Sequence, residues 1–162
     1  MKKVKIIAIV GAVLFLVAAC APMTPSPTPQ PPELSFSPRM TMFEEGKITF
    51  ELGVNNDGNT PSSEIDDVNI RAVITDEQGK IRNQMTIVDL GAIPAGGRTA
   101  PLVYEAVYDE GSYVMSLTGE DLTSLTIPFE IREEDDIRML AAPAEYINPH
   151  TEFTIDSHNL EE

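Results

Sequence analysis

Lys47-Ile48-Thr49-Phe50-Glu51-Leu52-Gly53-Val54 places Ile48, Phe50, Leu52 and Val54 on one face of an extended chain and Thr49, Glu51 and Gly53 on the other. A period of two is that of a strand, whose successive side chains point to opposite sides of a sheet. One apolar and one polar face predict a half-buried antiparallel strand. The same alternation recurs at Val68, Ile70, Ala72 and Ile74, at Tyr113, Met115 and Leu117, and at Leu125, Ile127, Phe129 and Ile131. Residues 81–90 and 99–108 are β-like but less regular, and Leu34 and Phe36 predict a short first strand. No window carries a convincing stripe of helical period.

Turn chemistry separates these windows. Asn55-Asn56-Asp57-Gly58-Asn59 follows the opening strand, and Asp76-Glu77-Gln78-Gly79 predicts a hairpin turn. Pro94-Ala95-Gly96-Gly97 and Asp109-Glu110-Gly111 mark later reversals. Each supplies the Gly, Asn or Asp that tight turns use for positive φ. Pro128 lacks an amide donor and predicts an edge position for the last strand. About seven short strands in about 100 residues is the size of an immunoglobulin-like antiparallel β-sandwich. The expected fold is therefore all-β, with a sandwich over residues 33–132. Asp109 to Met115 also has the spacing of a tyrosine corner, in which Tyr113 turns its hydroxyl onto backbone just upstream. Met115 then stands where antibody domains carry a cysteine. The alternative is a core tyrosine with no such bond.

Three of these strings resemble the cell-adhesion-related domain of bacteria and archaea (CARDB) and, less closely, the FxLYD domain of prokaryotic lipoproteins. Val54-Asn55-Asn56-Asp57-Gly58 resembles a V-x-N-x-G strand end, Leu90 to Gly96 an L-x-x-I-x-A-G turn, and Gly111-Ser112-Tyr113 a G-x-Y strand start. The likeness spans about residues 46–119 and lies in turn residues. It implies a non-enzymatic surface module, adhesive or architectural, with no catalytic residues to carry over.

The ends differ from the middle. Lys2, Lys3 and Lys5 precede an apolar run from Ile6 to Ala19, and no acidic residue occurs before Glu33. That layout is a secretory signal, too short for a comfortable membrane-spanning helix. It closes on Leu16-Val17-Ala18-Ala19-Cys20, which resembles the lipobox of bacterial-type lipoproteins. The resemblance implies cleavage after residue 19 and a thioether-linked diacylglyceryl group on Cys20. The alternative is an uncleaved signal anchor, and both place the domain on the extracytoplasmic face of a membrane. Residues 20–32 then form a linker, six of whose last twelve residues are Pro. Proline fixes φ and removes donors, so a semi-rigid polyproline II stalk is expected. Residues 133–162 open on Glu133-Glu134-Asp135-Asp136 and are broken by Pro143 and Pro149. They are expected to be a largely disordered acidic tail, with Phe153 and Ile155 able to form one extra short strand.

Charge and composition exclude several functions. The 162 residues hold 26 acidic and 11 basic side chains, a net charge of −15. Such a surface has no basic face for nucleic acid. Removing residues 1–19 deletes three lysines and no acid, taking the charge to −18. One cysteine permits no disulfide within the chain, and the two histidines, His150 and His158, lie in the tail. No catalytic motif is present, so no catalytic residue and no cofactor are assigned. Asp57, Asp66, Asp67 and Asp109 fall at strand ends and are candidate calcium ligands, although calcium wants six to eight oxygens. A solvated acidic surface is the simpler reading. The sequence thus predicts a lipid-anchored binding, adhesion or scaffolding module whose partner is a surface protein or glycan. The alternatives are an accessory subunit of a membrane transport or envelope complex and, more remotely, a calcium-dependent module or a hydrolase.

Overall fold

The computed structural model describes residues 28–43, 46–62, 70–87, 90–120, 122–148 and 153–159. Among them are eleven strands. They are β1 (Leu34–Phe36), β2 (Arg39–Met42), β3 (Lys47–Leu52), β4 (Val54–Asn56), β5 (Ile70–Asp76) and β6 (Ile81–Ile87). There follow β7 (Leu102–Val107), β8 (Gly111–Gly119), β9 (Leu122–Glu134), β10 (Ile137–Ala142) and β11 (Thr154–Asp156). One sheet has the order β2-β3-β7, a second β11-β10-β9-β8-β5-β6, and β1 pairs with β4. The chain is an all-β sandwich.

The first four strands are one hairpin. Leu34 opposes Asn56, Phe36 opposes Val54, Arg39 opposes Glu51 and Met42 opposes Ile48, all in a single register. The ladder is interrupted at Ser37-Pro38 and Gly53, yet Ser37 N still donates to Gly53 O at 2.8 Å. Joining β1 to β2 and β3 to β4 leaves seven strands through β9, the number the alternation predicts. The additional strands β10 and β11 come from the region expected to be a tail.

The inner faces are those named by the alternation. Ile48, Phe50 and Leu52 from one sheet meet Ala72, Ile74, Met115, Leu117, Ile127, Phe129 and Ile131 from the other. Phe50 sits edge-on to Phe129 at 5.8 Å between ring centres. Met115 is fully buried in this core. A smaller cluster of Val54, Ile70, Ile93 and Leu122 closes the β4 end.

Three expectations are corrected. The first concerns the tail. Asp135 and Asp136 adopt φ of 53° and 65° and form the two-residue turn between β9 and β10, with Glu134 opposite Ile137. Two positive φ values suit the twist of a tight hairpin, and Asp tolerates them better than most residues. The acidic run is the exposed end of β9 and the turn that follows it, not the start of a loose tail. Beyond it, β10 buries Leu140, Ala141 and Ala142. The chain then passes to the other sheet, where Asn148 N donates to Met40 O at 2.9 Å. It returns as β11, parallel to β10, which is the short strand foreseen around Ile155.

The second concerns the stalk. Residues 28–32 lie against the domain. Asn59 Nδ2 donates to Thr28 O at 3.1 Å, and its Oδ1 accepts from Gln30 N at 2.6 Å. Thr60 Oγ1 donates to Gln30 O at 2.7 Å. Prolines lack donors but keep their carbonyls, and the loop after β4 binds the backbone between them. Gly58 permits this approach, because a Cβ there would overlap Pro31 O. Residues 20–27, and Cys20 with them, lie outside the described residues.

The third concerns Pro128. β9 is an interior strand, flanked by β8 and β10. However, the last β10 partner on β9 is Glu130, opposite Ala141, so at Pro128 the ladder continues only to β8, at Val114. The proline occupies an edge that is local to one end of a long strand.

Candidate functional site

β6 ends the six-stranded sheet and β7 ends the three-stranded one, both on the same side of the sandwich. A cleft of about 390 Å³ opens between them. Its walls are Arg82 and Asn83 of β6 and Tyr104 of β7, with Tyr108, Asp109 and Tyr113 at one end. Asn83 belongs to the inward-facing set of β6, two residues before the buried Met85. Tyr104 likewise faces inward on β7 and packs against Phe50, 6.4 Å between ring centres. Asn83 Nδ2 donates to Tyr104 Oη, a single side-chain bond joining the two sheet edges. Arg82 bonds across the mouth, with Nε 3.5 Å from Asp76 Oδ2 and Nη2 3.7 Å from Asp109 Oδ2. A second hollow of about 200 Å³, lined in part by Glu77, Ser112 and Glu110, shares Arg82 and Tyr113 with the first.

Tyr113 and Tyr108 are neighbours with opposite fates. Their rings meet edge to face at 5.0 Å, and Tyr113 stacks on Phe129 at 5.3 Å. Tyr113 Oη donates to Asp109 O at 2.8 Å, the bond of a tyrosine corner. Gly111, at φ 144°, supplies the backbone conformation that turns the chain into β8. Tyr108 is 6% exposed, and its hydroxyl lies by the Asn83 side chain without a well-formed hydrogen bond. Burial pushes its pKa well above the usual tyrosine value, with the nearby Tyr104 adding to the effect and the contact with Asn83 opposing it. The hydroxyl therefore stays protonated at any physiological pH. Thr49 Oγ1 and Arg132 Nε are also buried without partners, but neither residue lines the cleft.

At the other end of the sandwich Asn56 holds the loops together. Fully buried, it accepts at Oδ1 from Glu33 N at 3.2 Å and Gly58 N at 3.1 Å. It donates through Nδ2 to Thr60 O at 2.8 Å and Ile93 O at 3.1 Å. All its amide hydrogen-bonding directions are used within protein. In the string Val54-x-Asn56-x-Gly58, Val54 packs, Asn56 bonds and Gly58 lets the proline segment approach.

The candidate calcium ligands do not converge. β7 runs antiparallel to β3, with Val107 opposite Lys47, so Asp109 lies at the end where β3 begins. Asp57 follows β4 at the opposite end, about 30 Å away at the rise of a strand. Asp57 accepts from Ser35 Oγ at 2.8 Å, and Asp109 is an exposed partner of Arg82. Asp66 and Asp67 lie outside the described residues, as does His150. Among the described residues no group of three or more His, Cys, Asp or Glu could hold a metal ion. His158 is exposed, with Nδ1 3.0 Å from Asp156 Oδ1.

Sequence reasoning missed the cleft residues Arg82, Asn83, Tyr104 and Tyr108. The available signal was the irregular alternation of 81–90, where a polar Asn83 takes an inward position, and the two tyrosines ending 99–108. Which edge strands face each other is a property of topology that neither segment contains. Compared with protein-family models and with curated proteins, the chain matches none.

Proposed function

We propose that the chain is a lipid-anchored, extracytoplasmic lipoprotein that acts as a non-catalytic binding or scaffolding module at the cell surface. Leu16-Val17-Ala18-Ala19-Cys20 carries this reading, since a thiol after small residues and an apolar run is what lipid attachment requires. The binding half is supported by the cleft between β6 and β7, a concave site with convergent polar groups on a rigid β framework. The turn residues shared with CARDB and FxLYD domains agree with a module that binds. The acidic surface, −18 after cleavage, favours solubility and repulsion from anionic headgroups. Fractionation of expressing cells tests the reading. The native chain sediments with membranes and is cut by protease added to intact cells, and Cys20→Ser leaves the processed form soluble. A processed Cys20→Ser protein that still sediments, or protease protection of the native chain, refutes it.

A further inference from the structure

We propose that the free edge of β7 takes an extended, basic segment of a partner polypeptide as a fourth strand of the small sheet, with alternate basic side chains of that segment covering the cleft toward β6. This names a partner class for the binding module proposed above and rests on that reading.

The two strands that flank the cleft have differently built edges. β6 carries devices that blunt an edge. Its register against β5 slips between Ile74 and Thr75, which leaves Arg82 without an opposite residue, and Arg82 and Gln84 are exposed. β7 has neither a slip nor a cation. Its pairing with β3 runs unbroken from Val107 opposite Lys47 to Leu102 opposite Leu52. Those residues include no Pro, Lys or Arg, and among the described residues β7 pairs with β3 alone. Its outward row is Val103, Glu105 and Val107, with the valines 56% and 60% exposed. A regular edge strand with unpaired backbone groups and exposed apolar side chains is a template for strand addition.

Charge selects the occupant. An added strand lies about 4.8 Å beyond β7 and shares its alternation. Its residues opposite Tyr104 and Ala106 face the cleft, which those two residues line, and its residues opposite Val103 and Val107 extend the outer row. The cleft and the hollow beside it are lined by Asp76, Glu77, Asp109 and Glu110, with Arg82 as the one cation among the described residues. Arg82 lies 3.5 Å from Asp76 and 3.7 Å from Asp109, and a single guanidinium cannot neutralise both. The mouth therefore keeps an excess of negative charge. A Lys or Arg entering over Ala106 lays its aliphatic stem along that residue and the Tyr104 ring. Its charged end then points toward Asp109, two residues beyond the end of β7. Apolar residues suit the alternate positions, beside the exposed valines. A second copy of this chain fits less well. Its own β7 has no basic residue, and chains with a net charge of −15 repel one another.

The test is binding of end-capped octapeptides to the full chain, purified in detergent, followed by tyrosine fluorescence and amide hydrogen exchange. Three peptides are compared: alternating lysine and valine, the same residues arranged in two blocks, and alternating glutamate and valine. The alternating lysine peptide is expected to bind with a Kd of about 10–100 μM, to weaken as salt is raised, and to slow exchange of β7 amides. The block peptide, with equal charge but no single basic face, binds about tenfold more weakly, and the glutamate peptide does not bind. Val103→Lys puts a charge of the peptide's own sign on the edge at an exposed position. It keeps the native melting temperature and weakens binding about tenfold. Asp109→Asn weakens binding about threefold, the scale of one exposed ion pair. No saturable binding up to about 1 mM overturns the proposal. So does equal affinity for the block peptide, unchanged affinity in Val103→Lys, or protection confined to strands other than β7. If β7 amides are protected instead by concentration-dependent dimerisation of the chain alone, the occupant is a second copy and the proposal falls. If the peptides fail while membrane fractionation still depends on Cys20, this partner class falls and the lipoprotein reading stands.

Discussion

Tyr108 and Tyr113 lie in contact, and the same change should move stability in opposite directions at the two positions. Tyr113→Phe removes the bond to Asp109 O and orphans that carbonyl, costing about 1 kcal/mol. Tyr108→Phe removes a buried hydroxyl that makes no well-formed hydrogen bond, so it should be neutral or stabilising. Urea unfolding of the two variants checks both signs. Tyr108 also sets an alkaline limit. Its folded pKa is raised, so between the unfolded value near 10 and the folded one the unfolded chain loses the proton first. The unfolded state then binds fewer protons, and stability falls as pH rises through that window. Unfolding free energy should decline above about pH 10 in the native chain, and Tyr108→Phe should flatten part of that slope. Asn56→Ala should be the most damaging of these changes, at about 3 kcal/mol, because one substitution strands two amides and two carbonyls in the interior. An Asn56→Ala protein within the error of wild type in urea would show that solvent reaches this loop cluster.

At the level of strands, alternation predicted the inner faces well. Ile48, Phe50, Ile74, Met115, Leu117, Ile127 and Ile131 are all buried where a period of two places them. Those positions were legible because one apolar face against one polar face admits a single register. The C-terminal region was not legible, for a physical reason. Glu133 to Asp136 looks like solvated charge, yet charge on a strand costs little when the side chains face water, and Asp at both turn positions is compatible with a tight hairpin. The short run Ile137 to Ala142 lacks clean alternation because Leu140, Ala141 and Ala142 are all buried. Burial on both faces erases the period. Removing residues 137–162 should therefore not resemble trimming a loose tail. It strips β10 and β11 from the sheet, bares the β9 edge, and exposes Leu140, whose burial alone is worth about 2 kcal/mol. The truncated chain should lose its cooperative melting transition or melt far lower. A melting curve equal to that of the full chain would show that these strands add nothing.

For the molecule as a whole, the sequence sets a basic and apolar N-terminal run apart from the alternating region, and the fold sets a loop cluster at one end apart from a cleft toward the other. The loops around Asn56 close one end, where residues 28–32 dock before the chain continues toward Cys20 in sequence. The cleft between β6 and β7 lies toward the other end, near the turn that holds Asp109. The two ends were unequally legible. Asn56 and Gly58 sit in a recognisable turn string, whereas Arg82, Asn83, Tyr104 and Tyr108 meet only through the pairing of distant strands. The cleft thus needed the fold, whereas the proposed anchor rests on the first 20 residues alone.

Mass spectrometry of the amino-terminal peptide, from protein isolated from the membrane fraction of its own cells, tests the anchor most directly. The expected result is a peptide that begins at Cys20 and carries the mass of a thioether-linked diacylglyceryl group. A peptide that begins at Met1, or an unmodified Cys20, would contradict it.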